Sequence, residues 1–295
     1  MVQPLIDADV LRYEVGAVGE FIENDEKVYR DFDFVRETFD GKIRDICEAV
    51  GATKLPLLYL TGDPKLNEGI NKRRAREGLD PVKFIPNFRE AIAEGKAYKG
   101  TRKGEKPFHY RNLTAHIISN YDTTVSNGCE ADDLICIEQY ARLADKDTII
   151  CTRDKDLRQC PGLHYGWECG KQPEFGPVEY DMLGSIELVR AKSGPKITGG
   201  GFAFFAAQML TGDPVDNIGG LKGMGAVGAY ELLQDCDTIE GYLNAVRGAY
   251  KARLGDVWEV VAQEQAHLLW MVRERFEDGS FKFFNLREHM DDEAI

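Results

Sequence analysis

The chain has 295 residues, of which 43% are hydrophobic and 29% charged, and carries a net charge of −13. Such a chain can bury a core without disulfide or metal staples, and no apolar run approaches the ~20 residues of a membrane span, so no membrane association is expected. Seven widely spaced cysteines without a C-x-x-C pair argue against a disulfide framework. Cys160, Cys169 and His164 lack the paired close spacings of structural zinc. The N-terminus has neither the basic start nor the long apolar stretch of a signal peptide, and a cytoplasmic location is expected.

Residues 4–10 read as a short buried strand ending in carboxylates, with Asp7 among them. Residues 32–50 have helical spacing, and 55–60 form a second strand punctuated by Thr61-Gly62-Asp63-Pro64. The segment 65–111 holds 13 Lys/Arg against 6 Asp/Glu, a local balance of +7 that leaves −20 elsewhere. Distribution matters more than the total for a polyanion ligand. Glycines and prolines in this segment predict short helices and mobile loop. Then come a helix near 111–120, a weak strand at 123–125, an amphipathic helix over 131–144, and a third strand at 148–151 running into Asp154 and Asp156. Strands alternating with helices predict an α/β fold: a mainly parallel central sheet flanked by helices, with sites beyond the carboxyl ends of strands. The rest reads as helical, interrupted by a glycine-rich turn over 219–225. A boundary near 198 divides an α/β domain, 1–198, from a helical domain, 199–295.

Glu130-Ala131-Asp132-Asp133 opens the helix over 131–144. The helix dipole and unsatisfied N–H groups favour acids in a first turn. That explains one or two acids, but three in four residues repel one another unless a cation neutralises them. Asp154 with Asp156, and Asp213 with Asp216, each read alone as turn or cap residues. Together with Asp7 and Asp63 they make an oxygen-only donor set suited to Mg²⁺ or Mn²⁺. Two such ions ~4 Å apart activate water and stabilise the leaving oxygen of a phosphodiester.

These stretches resemble a known family. Gly128-Cys129-Glu130-Ala131-Asp132-Asp133, Thr152-Arg153-Asp154-Lys155-Asp156-Leu157, and Thr211-Gly212-Asp213-Pro214-Val215-Asp216-Asn217-Ile218 with its following glycine turn are similar to motifs of the 5′→3′ exonuclease/flap endonuclease family. Phe88-Arg89 and Tyr98-Lys99-Gly100-Thr101-Arg102 resemble its Phe-Arg and Tyr-Lys-x-x-Arg elements, and Leu5-Ile6-Asp7-Ala8-Asp9 its first acidic strand.

The resemblance spans about residues 3–235 and implies a stand-alone, monomeric 5′ nuclease using two or more Mg²⁺ ions, with Mn²⁺ as a substitute. It implies one metal region at Asp7, Asp63, Glu130, Asp132 and Asp133, and another at Asp154, Asp156, Asp213 and Asp216. Lys99 would face the scissile phosphate, with Arg102 and Arg89 clamping it, and a helical arch drawn from 65–111 would cover a single-stranded 5′ end. Lys103 and Lys106 would bind DNA. Gly220, Lys222, Gly223 and Gly225 would form a helix–hairpin–helix that meets duplex phosphates through backbone N–H groups. The partner implied is DNA with 5′ ends, flaps or single-stranded 5′ tails.

The sequence departs from the family in a longer stretch between Asp63 and Phe88, and in Ala226 and Val227 where many members have a basic residue. An RNase-H-like 5′ nuclease removing RNA primers from RNA–DNA hybrids would use the same metals. A PIN-type ribonuclease would lack the block from Asp213 to Gly225. A non-catalytic structure-specific DNA-binding protein would be expected to have lost acids that remain here. A small-molecule phosphatase would leave the basic segment and the glycine hairpin without a purpose.

Overall fold

The computed structural model describes residues 2–101, 104–192 and 194–286. In chain order the elements are β1 (Gln3–Asp7), α1 (Ala8–Val18), β2 (Glu20–Glu23), β3 (Glu26–Tyr29), α2 (Phe32–Ala49), β4 (Leu57–Leu60), α3 (Pro64–Arg76), α4 (Phe88–Ile92), α5 (Tyr110–Asn120), β5 (Thr123–Val125), α6 (Ala131–Ala141), β6 (Thr148–Cys151), β7 (Gly162–Gly166), β8 (Phe175–Tyr180), β9 (Ser185–Ala191), β10 (Gly194–Gly200), α7 (Gly201–Thr211), α8 (Ala226–Leu233), α9 (Ile239–Leu254) and α10 (Trp258–Leu269). The strand expected over 4–10 stops at Asp7, because the Asp7 carboxylate accepts the N–H groups of Asp9 and Val10, both at 3.1 Å, and so starts α1. No helix among the described residues is long and apolar enough to cross a membrane.

The chain divides into two compact units. The first takes residues 1–87, 104–155 and 162–179. Its sheet has strand order β5-β4-β1-β6-β7-β8. The pairs β4–β5, β1–β4, β1–β6 and β6–β7 are parallel, as the alternation of strands and helices predicts. Central β1 is buried from Pro4 to Asp7, which is why Leu5-Ile6 reads as an unbroken apolar run rather than an alternating one. Helix α2 buries Val35, Phe39, Ile43 and Ile46, one stripe at helical spacing. Its start is fixed by Asp31, whose side chain accepts the Phe34 N–H at 2.8 Å. That stripe packs with Val15 of α1 and with Leu58 and Leu60 of β4 in one hydrophobic core. Each such side chain contributes about 1.5–3 kcal/mol on burial.

The second unit takes residues 88–103, 156–161 and 180–295. Helix α7 is buried on all sides from Gly201 to Leu210, so it is a core helix rather than an amphipathic surface one. Around it Phe205, Trp270 and Phe284 form an aromatic cluster with ring centroids 4.9–5.1 Å apart. The Tyr250 hydroxyl donates to the Met209 carbonyl at 2.6 Å.

The boundary expected near 198 falls inside this unit. Strand β10 pairs antiparallel with β9 along its whole length and runs directly into α7. The hairpin therefore shares its packing with the helices, and no linker separates them.

Candidate active site

In the first unit, parallel pairing brings the carboxyl ends of β1, β4 and β6 to one end of the sheet. Ile6 is in register with Leu58 and with Cys151, so the next residues, Asp7 and Thr152, stand side by side. The Thr152 hydroxyl donates to Asp7 Oδ2 at 2.8 Å and accepts the Asp154 N–H at 2.9 Å. One threonine thus ties two candidate acids together.

On the other side of β1, the Thr61 N–H donates to Asp9 Oδ2 and the Ala131 N–H donates to Thr61 Oγ1, each at 2.9 Å. This links Asp9 to the end of β4 and to the start of α6, beside Glu130. Asp63, two residues beyond Thr61, caps α3 by accepting the Leu66 N–H at 2.8 Å, and its other oxygen lies 3.4 Å from Lys106 Nζ.

The acidic triplet divides its work. Asp133 has no exposed surface, and its Oδ2 accepts the Glu130 N–H at 3.1 Å. It closes the start of its own helix, the ordinary role of an acid at that position. Glu130 and Asp132 are half-buried.

Electrostatics single out Asp7, which is 1% exposed. Burial, then the negative charge of Asp9, push its carboxyl up to about 7; hydrogen bonds from Thr152 and Val10 oppose this, and the charge of Asp154 adds to it. Asp63 goes the other way. Burial raises it, but the Leu66 N–H and the charges of Lys106 and Arg111 hold it below its ordinary value.

A buried carboxyl among like charges is stabilised as the anion by a cation, so these oxygens fit a divalent ion in donor chemistry and in charge. They do not form a ready cage: no group of three His, Cys, Asp or Glu side chains among the described residues already has metal-holding geometry.

In the second unit, the loop between α7 and α8 grips the turn that carries Lys99. Asp213 and Ile218 bridge each other through their backbones, and Asp213 Oδ1 accepts the Val215 N–H at 2.8 Å. From this loop the Asp216 carbonyl accepts the Lys99 N–H at 2.9 Å, and the Asn217 side chain donates to the Ala97 carbonyl at the same distance. The Asp216 carboxylate accepts the Tyr98 hydroxyl at 3.0 Å and lies 3.7 Å from Lys99 Nζ. Lys99 has a left-handed backbone, φ +54°, and stands in a turn rather than on a helix. Asp156 Oδ1 accepts from the Gln208 side chain at 2.6 Å.

One expected role fails. Arg89 is 0% exposed, donating to the carbonyls of Leu268 at 3.0 Å and Trp270 at 2.8 Å and stacking over Phe88. It braces the second unit's core and has no surface to offer a phosphate.

Arg102 and Lys103 lie outside the described residues. In the glycine turn, Gly220 has φ +60°, and an added Cβ would meet the Gly212 backbone nitrogen at 2.3 Å, so its glycine is demanded by packing. Lys222, Gly223 and Gly225 are exposed.

Sequence reasoning assigned no separate role to Asp9, Thr152, Thr61 or Tyr98. A threonine two residues before Asp154, and an acid two residues after Asp7, were the available signals.

No protein-family model matches the chain, and no curated protein matches it by sequence. Among solved structures it is similar to a bacteriophage T5 flap endonuclease in a pseudo-enzyme–product complex with DNA and metal ions, at 11% identity and a TM-score of 0.49, covering 91% of this chain and 99% of that one. It is also similar to a T5 5′-exonuclease with zinc bound, at 12% identity and a TM-score of 0.46, with coverage of 91% and 99%. At that level of similarity, the functional reading rests on the residues of the site itself.

Proposed function

We propose that the protein is a divalent-metal-dependent 5′ nuclease of the 5′→3′ exonuclease/flap endonuclease family, hydrolysing DNA phosphodiesters. One observation carries this reading. Asp7, buried at the carboxyl end of a central parallel strand, is joined through Thr152 to Asp154 and faces the charge of Asp9. Such a cluster is unfavourable by itself and becomes favourable with a hard cation.

Asp7 and Asp154, with Asp63, Glu130 and Asp132, are the candidate ligands of one ion. The second unit's Asp156, Asp213 and Asp216 are the candidates for another. Bound Mg²⁺ supplies an activated water and charge stabilisation for the leaving oxygen. The chain's own contributions are positioning and charge. Thr152 fixes the orientation of Asp7, Thr61 fixes Asp9, and Asp133 holds the start of α6. Lys99 is the candidate cation for charge that develops on the phosphate in the transition state. Exposed Lys222, Gly223 and Gly225 are candidate contacts to duplex phosphates.

The test is a cleavage assay in Mg²⁺ on 5′-labelled duplex, 5′-flap, single-stranded and RNA–DNA substrates, with EDTA as control. Cleavage from the 5′ side of DNA that EDTA abolishes supports the reading. Metal-independent cleavage, or none on any substrate, overturns it. Faster cleavage of the RNA–DNA hybrid would assign primer removal instead.

A further inference from the structure

Beside Asp63, the first unit contains a cavity of about 670 Å³ between α3, α5 and the end of β5, a size typical of ligand sites. It exists because α3 stands off from the core. No residue of α3 is buried, and Leu66 and Ile70 line the cavity half-exposed.

The helix is nevertheless held firmly. Asn67 and Asn71 both donate to the Val82 carbonyl, at 3.0 and 2.9 Å, and Asn71 Oδ1 accepts the Val82 N–H at 2.8 Å. Arg74 Nε donates to the Asp80 carbonyl at 2.6 Å. The gap under α3 is therefore built into the fold.

Its lining has two characters. Leu66, Ile70, Ile118 and Val125 give an apolar wall, while five cations stand against two carboxylates around it. Exposed Lys65 and Arg111 make no ion pair among the described residues. Arg12 is 3% exposed, and its Nε–H has no hydrogen-bond acceptor there. Gly69 lines the cavity in mid-helix, and an added Cβ would meet nothing within 4 Å. No packing demands that glycine, which costs the helix about 1 kcal/mol relative to alanine, and its lack of a side chain keeps the space open.

We propose that this cavity lodges an unstacked nucleotide of single-stranded DNA, with its base against the apolar wall and its phosphates on Lys65, Arg73 and Arg111. Sequence-tolerant single-strand binding combines cations for the backbone with aromatic faces on which bases stack, and the Tyr110 ring lines this cavity beside the apolar wall and the cations. A strand is the occupant, rather than a free nucleotide, because Asp63 belongs both to the cavity and to the acidic end of the sheet. A chain entering the site there would run past Lys65. The inference rests on the nuclease reading above.

The experiment uses the full chain with a fluorescein-labelled oligo-dT, reading anisotropy in EDTA. Gly69→Trp, which fills the cavity, should raise Kd about tenfold. Lys65→Ala with Arg111→Ala should also weaken binding and lower the salt dependence by about 0.7 in log–log slope for each phosphate no longer neutralised. Gly248→Trp, on an exposed helical glycine of α9 where a Cβ also meets nothing, controls for the added ring. In Mg²⁺, cleavage of a 5′-flap should fall in Gly69→Trp, while its cleavage at a nick with no single-stranded tail should not.

Unchanged oligo-dT affinity in both cavity variants, with wild-type cleavage intact, overturns the cavity assignment and leaves the nuclease reading standing. Displacement of oligo-dT by equimolar dTMP overturns the choice of a strand as occupant. A wild-type chain that neither binds nor cuts DNA overturns both. Circular dichroism checks the fold of Gly69→Trp, and the alanine pair carries the test should that variant not fold.

Discussion

Asp7 in the first unit and Asp216 in the second are held in opposite ways. In the first, Asp7 is buried against the charges of Asp9 and Asp154, and its carboxyl is pushed up to about 7. In the second, Asp216 is matched by a tyrosine hydroxyl and a lysine ammonium, and the loop around it is closed by backbone hydrogen bonds. Crowded like charges destabilise a fold, whereas paired unlike charges at a partly buried site are close to neutral. The first arrangement therefore calls for an ion from outside by its charges alone. The second, whose acids are the candidates for another ion, also works as a structural clasp around the turn that carries Lys99.

Asp154→Ala breaks the comparison most severely. Loss of a candidate ligand should lower Mg²⁺-dependent cleavage by more than about 100-fold, since even residues that only orient a metal's ligands cost 10–100-fold. Binding of a 5′-flap in EDTA should persist, and a retained rate would remove Asp154 from the metal site. Lys99→Ala should lower turnover by about 100-fold with a smaller change in Kd, read by single-turnover kinetics. An unchanged rate would reduce the clasp to a purely structural feature.

Arg89→Ala should act on stability instead. Leaving the Leu268 and Trp270 carbonyls without their donor and a void beside Phe88 should cost about 3 kcal/mol, seen as a lower denaturation midpoint. Turnover per folded molecule should stay near wild type; a selective loss of turnover would restore Arg89 to the phosphate.

The smallest effect, and the most diagnostic of charge crowding, is that of Asp7→Asn in chelated protein. With a folded value near 7 against the ordinary 3.8, the folded state keeps a proton that the unfolded state has lost. Stability of the wild type therefore falls as pH rises through that window and levels off above it. The asparagine variant should escape this loss, gaining about 1–3 kcal/mol at pH 8 and little at pH 4. Thermal melts at the two pH values check it. Mg²⁺ should then raise the Tm of the wild type but not of the variant.

Much of the fold is legible in the sequence where the signal is local. The stripe of α2, the apolar runs of β1, β4 and β6, and acids three residues past two of those strands are periodicities and spacings, and the parallel sheet follows from their alternation. Long-range packing is not legible. Phe88-Arg89, within the basic segment, resembles a Phe-Arg element expected to clamp a phosphate, yet carbonyls some 180 residues later bury Arg89.

Asp133 is expected among the ligands, and its hydrogen bond from the Glu130 N–H is not legible because sequence does not show which way a first-turn acid points. The hairpin of β2 and β3 is hidden because its strands are mostly exposed and carry acids. Its turn uses Asn24-Asp25, both at positive φ, in place of a glycine signal. The soft boundary near 198 follows a change in composition, whereas packing places the β9–β10 hairpin with the helices after it.

The left-handed backbone at Lys99 has a consequence for how this position can change. Glycine is the residue that would relieve the roughly 1 kcal/mol of strain, and glycine has no ammonium. Arginine would keep a positive charge but inherit the strain and replace a point charge with a broad fork. Stability and chemistry thus pull toward different residues, and neither neighbouring choice satisfies both. A library of all substitutions at this one position, sorted separately for folding and for cleavage, should give two rankings with different winners, glycine leading for folding and lysine for cleavage.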